Sequence, residues 1–190
     1  MVDKKERIMQ AATKSFSMFG FKGTTVDQIA KIAGVGKGTI YTYFENKEVI
    51  LRDIIQSLIY EMKQKAEESI HPDRTIIENL HEVLYGVLLY RKEHELMIKL
   101  SQEVKEYGTE VAKEALNQIE KEFISFIALL IEKAIANQKF KDCHSEITAF
   151  VMYKLYVSLV VDWNEMNERL TNEKVYELFK LYLMEGLINK

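Results

Sequence analysis

Pro72 is the only proline in this chain of 190 residues, and eight glycines complete its stock of backbone breakers. A sheet protein needs a tight turn every few residues, and tight turns draw on Gly and Pro for their special φ values. With so few breakers, and apolar residues recurring every three to four positions, the chain is expected to be almost wholly helical. A hydrophobic content of 47% supplies a real core, and the length suits one medium domain or two small ones.

The spacing predicts a first helix from about Lys4 to Phe19, with Ile8, Ala11, Ala12, Phe16 and Phe19 on one face and Gly20 at its end. Thr25 with Gln28 is one capping box for a second helix, and Thr24 with Asp27 is an equally good one a residue earlier. Val26, Ile29, Ala30 and Ala33 form that helix's buried side, and Gly34 permits a sharp turn. Ile40 and Phe44 are the buried pair of a short third helix. Asn46 caps a long fourth helix, Lys47 to about Ser69, striped by Ile50, Ile54, Leu58 and Met62 and stopped by Pro72. Five more helices are expected at roughly 73–91, 93–107, 109–136, 143–164 and 172–188. Charges such as Glu103, Lys105, Glu106, Lys113 and Glu114 read as their solvated face.

Helix, turn and a short helix with polar outward positions make a helix-turn-helix, shaped to enter a DNA groove. Residues 1–50 hold eight Lys/Arg and five Asp/Glu, and the remainder eighteen and twenty-four: a basic head on an acidic body. Lys37 offers a long cation to a phosphate or a guanine edge. Gly38 lets the backbone come close to DNA, at a cost in helix stability of up to about 1 kcal/mol. Thr39 and Thr42 can bond bases or phosphates and touch thymine methyls, and the Tyr41 and Tyr43 hydroxyls suit phosphates. Thr25 and Lys47 stand at helix N-termini, which attract phosphate through free N–H groups.

The run Gly20-Phe21-Lys22-Gly23-Thr24-Thr25-Val26-Asp27-Gln28-Ile29-Ala30, followed by Ala33-Gly34-Val35-Gly36-Lys37-Gly38-Thr39-Ile40-Tyr41-Thr42-Tyr43-Phe44-Glu45-Asn46-Lys47-Glu48, closely resembles the DNA-binding domain of the TetR family of bacterial repressors. The resemblance covers about residues 5–55. One departure is Gly36, where that family usually has Ser as the cap of the recognition helix. Gly caps less well by a few tenths of a kcal/mol. The resemblance implies that the C-terminal part binds a ligand and that some of Tyr60, Met62, Tyr85, Leu89, Tyr90, Met97, Phe123, Phe126 and Leu130 line an apolar cavity. Among these, Tyr60, Met62, Tyr85, Leu89, Met97, Phe123 and Phe126 are the named candidates.

A single reader head makes few contacts, and two-fold pairing sets two such heads about 34–36 Å apart on successive major grooves. Wide apolar stripes on the last two helices, together with the resemblance, point to a four-helix homodimer interface. The stripes are Met152, Leu155, Tyr156, Leu159, Val160 and Trp163 on one helix, and Tyr176, Phe179, Leu183 and Leu187 on the next, beside Val175, Leu178 and Tyr182.

Other chemistry is weakly signalled. Cys143 is the only cysteine, which excludes an intrachain disulfide and fits a cytoplasmic location. The sequence has no apolar signal core and no run of 18 apolar residues, so neither secretion nor a membrane span is expected. Glu78 and His81 form one E-x-x-H step, but a di-iron bundle needs two, and His71, His94 and His144 lack the matching Glu. No metal or cofactor is expected.

The expected architecture is therefore all-α: a three-helix helix-turn-helix domain at residues 1–48, a connecting helix at 47–69, and a helical bundle at 70–190 for ligand binding and dimerisation. The expected protein is not an enzyme. It is a dimeric, ligand-responsive regulator that binds double-stranded operator DNA and is released from it by a small, mainly apolar effector. The alternatives are an all-helical enzyme of ferritin-like type, against which the helix-turn-helix and the missing second E-x-x-H speak, and a DNA-binding protein regulated by a protein partner.

Overall fold

The computed structural model describes residues 3–188. The first two residues of the expected 1–48 domain and the last two of 70–190 thus lie outside the described residues. Among the described residues eleven α-helices follow one another: α1 (Lys4–Gly23), α2 (Val26–Ala33), α3 (Lys37–Tyr43), α4 (Lys47–Glu68), α5 (Ile76–Glu93), α6 (Glu95–Tyr107), α7 (Glu110–Ala136), α8 (Ser145–Val157), α9 (Trp163–Met166), α10 (Asn172–Phe179) and α11 (Glu185–Leu187). Two π-helical turns, Ser158–Asp162 and Lys180–Met184, interrupt the last of them. Among the described residues there is no strand, only an isolated antiparallel bridge between Phe140 and Ile188.

Contacts divide the chain into two compact units. The first comprises Met1–Tyr60 with Arg91–Glu120, and the second Glu61–Tyr90 with Lys121–Lys190. The division passes through α4, α5 and α7, and α6 belongs wholly to the first unit.

In the first unit α1 packs on both α2 and α6. Gly20 breaks α1 with φ 76° and ψ 173°, a region essentially restricted to glycine. The break changes which phenylalanine is buried. Phe19, expected in the core, is 47% exposed, while Phe21 is buried with its ring 5.7 Å from that of Phe16. Thr25 and Gln28 form the capping box of α2. Thr24 is drawn away from that role because its hydroxyl donates to Gly20 O and lies 3.2 Å from Ser15 Oγ, all buried. The Asn46 carboxamide caps α4 at Val49 N. Pro72 does not stop that helix, which ends four residues earlier at Glu68, where Ser69 and Ile70 close its last turn.

Glu103 is the largest departure. Expected on a solvated face, it is 4% exposed and follows Leu96, Met97 and Leu100 along the buried side of α6. Its carboxylate accepts hydrogen bonds from the backbone N–H groups of Phe21 (2.6 Å) and Lys22 (3.0 Å).

The second unit holds a buried polar centre. His81 Nδ1 lies 2.6 Å from the Tyr156 hydroxyl, and the His81 ring stands edge-on to Tyr176 and stacks on Tyr85. Burial holds the imidazole below its usual pKa, against the opposing pull of Asn172, Glu82 and Glu173, so it is neutral near pH 7. Glu78, its partner in the E-x-x-H step, instead closes a capping box with Thr75 at the start of α5. Among the described residues no group of three His, Cys, Asp or Glu could hold a metal ion, and no helix is long and apolar enough to cross a membrane.

Candidate nucleic-acid interface

The turn between α2 and α3 is fixed from both sides. Gly34 adopts the left-handed conformation (φ 63°, ψ 41°) that ends α2, and the Arg7 guanidinium donates to Ala33 O at 2.7 Å. Ile40 and Phe44 are buried, as their spacing implies, and together anchor α3. The remaining side chains of α3 point outward. Lys37, Gly38 and Thr42 are exposed, Thr39 is half-buried, and Tyr41 and Tyr43 are 51% and 40% exposed. Rings of that size left in water on a short helix are available for a phosphate or a base.

Two of the outward groups already have intramolecular partners. Lys37 Nζ lies 2.9 Å from Asp27 Oδ2 in an exposed ion pair, and that hydrogen bond, then the Asp27 charge, raises the lysine's pKa. Phosphate must therefore compete with Asp27 for this cation. The Thr42 hydroxyl donates back to Gly38 O at 3.1 Å. Thr25 is occupied by its cap.

Lys47 begins α4 as expected, with its ammonium engaged within the unit. Its ammonium donates to Phe21 O (2.9 Å) and Thr24 O (3.0 Å) and sits over the Phe21 ring at 4.4 Å. It holds the corner between α1 and α2 rather than standing free for phosphate. Sequence reasoning missed Arg7, Asp27 and Glu103 as parts of this site. For Glu103 a signal existed, an acid at a position the 3–4 spacing assigns to the core.

Gly36 begins α3 with no side-chain cap, and a Cβ built at Gly38 would meet nothing within 4 Å. The free protein thus has no use for glycine at Gly38. Gly38→Ala is expected to raise thermal stability by up to about 1 kcal/mol, yet to weaken operator binding by about tenfold through the added methyl. Paired melting and binding measurements check this, and an alanine variant that binds as tightly as the wild type removes Gly38 from the interface.

The candidate cavity and pairing residues fall into different settings. Tyr60 is 66% exposed, so it lines no enclosed cavity. Met97 belongs with it to the first unit, whereas Met62, Tyr85, Leu89, Phe123 and Phe126 belong to the second. There Phe123 and Phe126 stack at 6.2 Å, and Phe123 meets Tyr153 edge-on at 6.0 Å. Met152, Tyr156 and Phe179, expected at a dimer interface, are fully buried within the single chain, with Tyr156 and Phe179 rings packed at 4.9 Å. Leu155, Leu159, Tyr176, Leu183 and Leu187 are half-buried. Trp163 and Tyr182, both in the expected pairing stripes, are exposed, and so are Ile147, Phe150 and Val151 of α8, Met166 of α9 and Leu181 beyond α10. α8 packs against α10.

Residues 8–54 match the family model described as bacterial regulatory proteins, tetR family. The chain is 45% identical over 98% of its length to the HTH-type transcriptional regulator YhgD of Bacillus subtilis, covering 97% of that protein. It is 26% identical to the fatty acid metabolism regulator protein of Bacillus subtilis, over 98% of this chain and 97% of the other. Among solved structures, the transcriptional regulator FadR from Bacillus subtilis in complex with stearoyl-CoA superimposes with a TM-score of 0.68 at 24% identity, over 91% of this chain and 96% of that one. A reader helix set outward on a helix-turn-helix, the family match on those same residues and near-full-length identity to YhgD lead to one conclusion: the chain belongs to the TetR family of DNA-binding bacterial transcriptional regulators.

Proposed function

We propose that two copies of this chain pair through the exposed apolar face of α8 and the C-terminal helices, and repress transcription by holding a two-fold symmetric operator. Within this reading Lys37, Gly38, Thr39, Tyr41, Thr42 and Tyr43 meet the DNA, and Thr25 sits beside the phosphate backbone. The observation that carries it is the outward exposure of Tyr41 and Tyr43 on a helix whose other face is locked by Ile40 and Phe44. Residues 1–48 act as the reader and 70–190 as the effector-binding and pairing part. The protein acts in the cytoplasm and performs no catalysis.

The effector we assign is a fatty acyl thioester. Full-length similarity to a fatty acid metabolism regulator supports this class, as do the aromatic and apolar side chains of the second unit. α4 contributes residues to both compact units, so it is the covalent lever by which a bound acyl chain changes the separation of the two reader heads.

Stearoyl-CoA is expected to weaken operator binding, with coenzyme A and free stearate as controls. Linkage requires that saturating operator weaken stearoyl-CoA binding by the same factor, in the range of about 5–150-fold. Equal stearoyl-CoA affinity with and without operator would mean that this ligand does not control DNA binding.

A further inference from the structure

We propose that Glu103 and Lys47 are a pair of positioning residues that set the presentation of the reader helix by clamping one peptide segment, Gly20–Thr24, from two helices. The carboxylate of Glu103, on α6, takes the N–H groups of Phe21 and Lys22. The ammonium of Lys47, at the first residue of α4, takes the carbonyls of Phe21 and Thr24. An anion on the donors and a cation on the acceptors of one short segment satisfy it at both polarities. The segment is the corner that feeds Thr25, the cap of α2, and α2 carries α3 through the Gly34 turn.

Three further observations single out the corner. Gly20 has the glycine-only conformation, and a Cβ there would run into the Glu103 carboxylate. Glu103 is an acid at a core position of α6, where burying it is costly unless its bonds are needed. The surface beside it is a groove of about 380 Å³, lined by Phe19, Lys22, Lys99, Gln102, Glu106 and Tyr107, so the clamp sits at the edge of solvent. Neither Glu103 nor Lys47 lies on α3. Their effect on DNA binding passes through the corner, and the proposal rests on the reading that α3 contacts DNA.

The test uses the full-length protein and a duplex enriched by it from a random pool. Glu103→Gln puts an amide where two N–H donors already point, so it loses an acceptor and gains a donor that repels them. It is expected to lower affinity for the enriched duplex by about tenfold or more, with the Phe21 and Lys22 amides exchanging faster and the salt slope of binding unchanged. Lys47→Met is the second variant, should the first fail to fold. It too is expected to lower affinity without changing the salt slope, whereas a slope shallower by about one unit would make Lys47 a phosphate contact and overturn its place in the clamp. Ile119→Ala, a core truncation on α7 in the same unit, is the control for lost stability: it is expected to melt earlier and still bind. A folded Glu103→Gln that binds like the wild type, or no worse than Ile119→Ala, overturns the proposal. A wild type that enriches no sequence at all overturns the DNA reading instead.

Discussion

The double variant Phe150→Glu, Leu181→Glu is expected to sediment as a monomer of about 22.2 kDa and to lose specific operator binding by a factor on the order of a thousand or more. Both side chains are about half exposed in the single chain, so the change leaves the fold intact. In a two-fold interface each new carboxylate is paired with its own copy or with its neighbour's, and each is taken out of water without a cation. A monomer offers DNA one reader head, and one head makes too few contacts for tight specific binding. Analytical ultracentrifugation of wild type and variant at micromolar concentration, followed by operator titration, measures both halves of the expectation. A wild type that is itself monomeric on and off DNA, or a variant that stays dimeric, would remove this face from the pairing model.

The second large effect is expected at the corner of α1 and α2. Gly20→Ala must hold an L residue in a conformation that costs about 1–3 kcal/mol, and its methyl displaces the Glu103 carboxylate, leaving buried N–H groups unpaired at a further cost of about 1–3 kcal/mol. A total near 3 kcal/mol lowers the melting temperature by about 6–12 °C in a chain of this length. Gly23→Ala is the internal control: its backbone is ordinary and its Cβ would touch only Phe19 Cβ at 3.4 Å. Calorimetry on the pair decides the matter, and equal melting temperatures would show that the corner tolerates a side chain.

How far these features could be read in the residues depended on whether they were local. The α2 capping box, the Gly34 turn, the Ile40–Phe44 anchor and the Asn46 cap are each decided within five residues, and spacing alone reaches them. The choice between Thr24 and Thr25 as cap was degenerate in sequence, and Ser15, nine residues away from Thr24, broke the tie. Glu103 was misread although its spacing put it on the buried side of α6, because its partners are backbone groups more than eighty residues away. The expected stripe on the last helices is displaced for a geometric reason. A π turn bonds i to i+5 and so adds a residue to the period. The buried stripe of α10 therefore runs Val175, Phe179, Met184 with a step of five at the turn, leaving Leu183 half-buried, whereas on α8 Met152, Tyr156 and Val160 keep the expected four-residue step and Trp163 is exposed. A constant 3.6-residue spacing drifts off the α10 stripe.

The reader helix has one further property with consequences away from the bound complex. α3 is seven residues long, starts at Gly36 without a side-chain bond to its first turn, and places Gly38 within that turn. What holds its leading end is exposed, the Lys37–Asp27 ion pair and the Thr42 hydroxyl on Gly38 O, and both can be exchanged for groups on the surface it meets. On random DNA the protein is held by phosphates alone and can slide. A sequence that matches the side chains of α3 closely enough to offset the loss of those bonds is expected to stop it. The exposed bonds at the start of the recognition helix are thus expected to act as a threshold in the search along a chromosome, with fast passage over wrong sites and arrest at the right one.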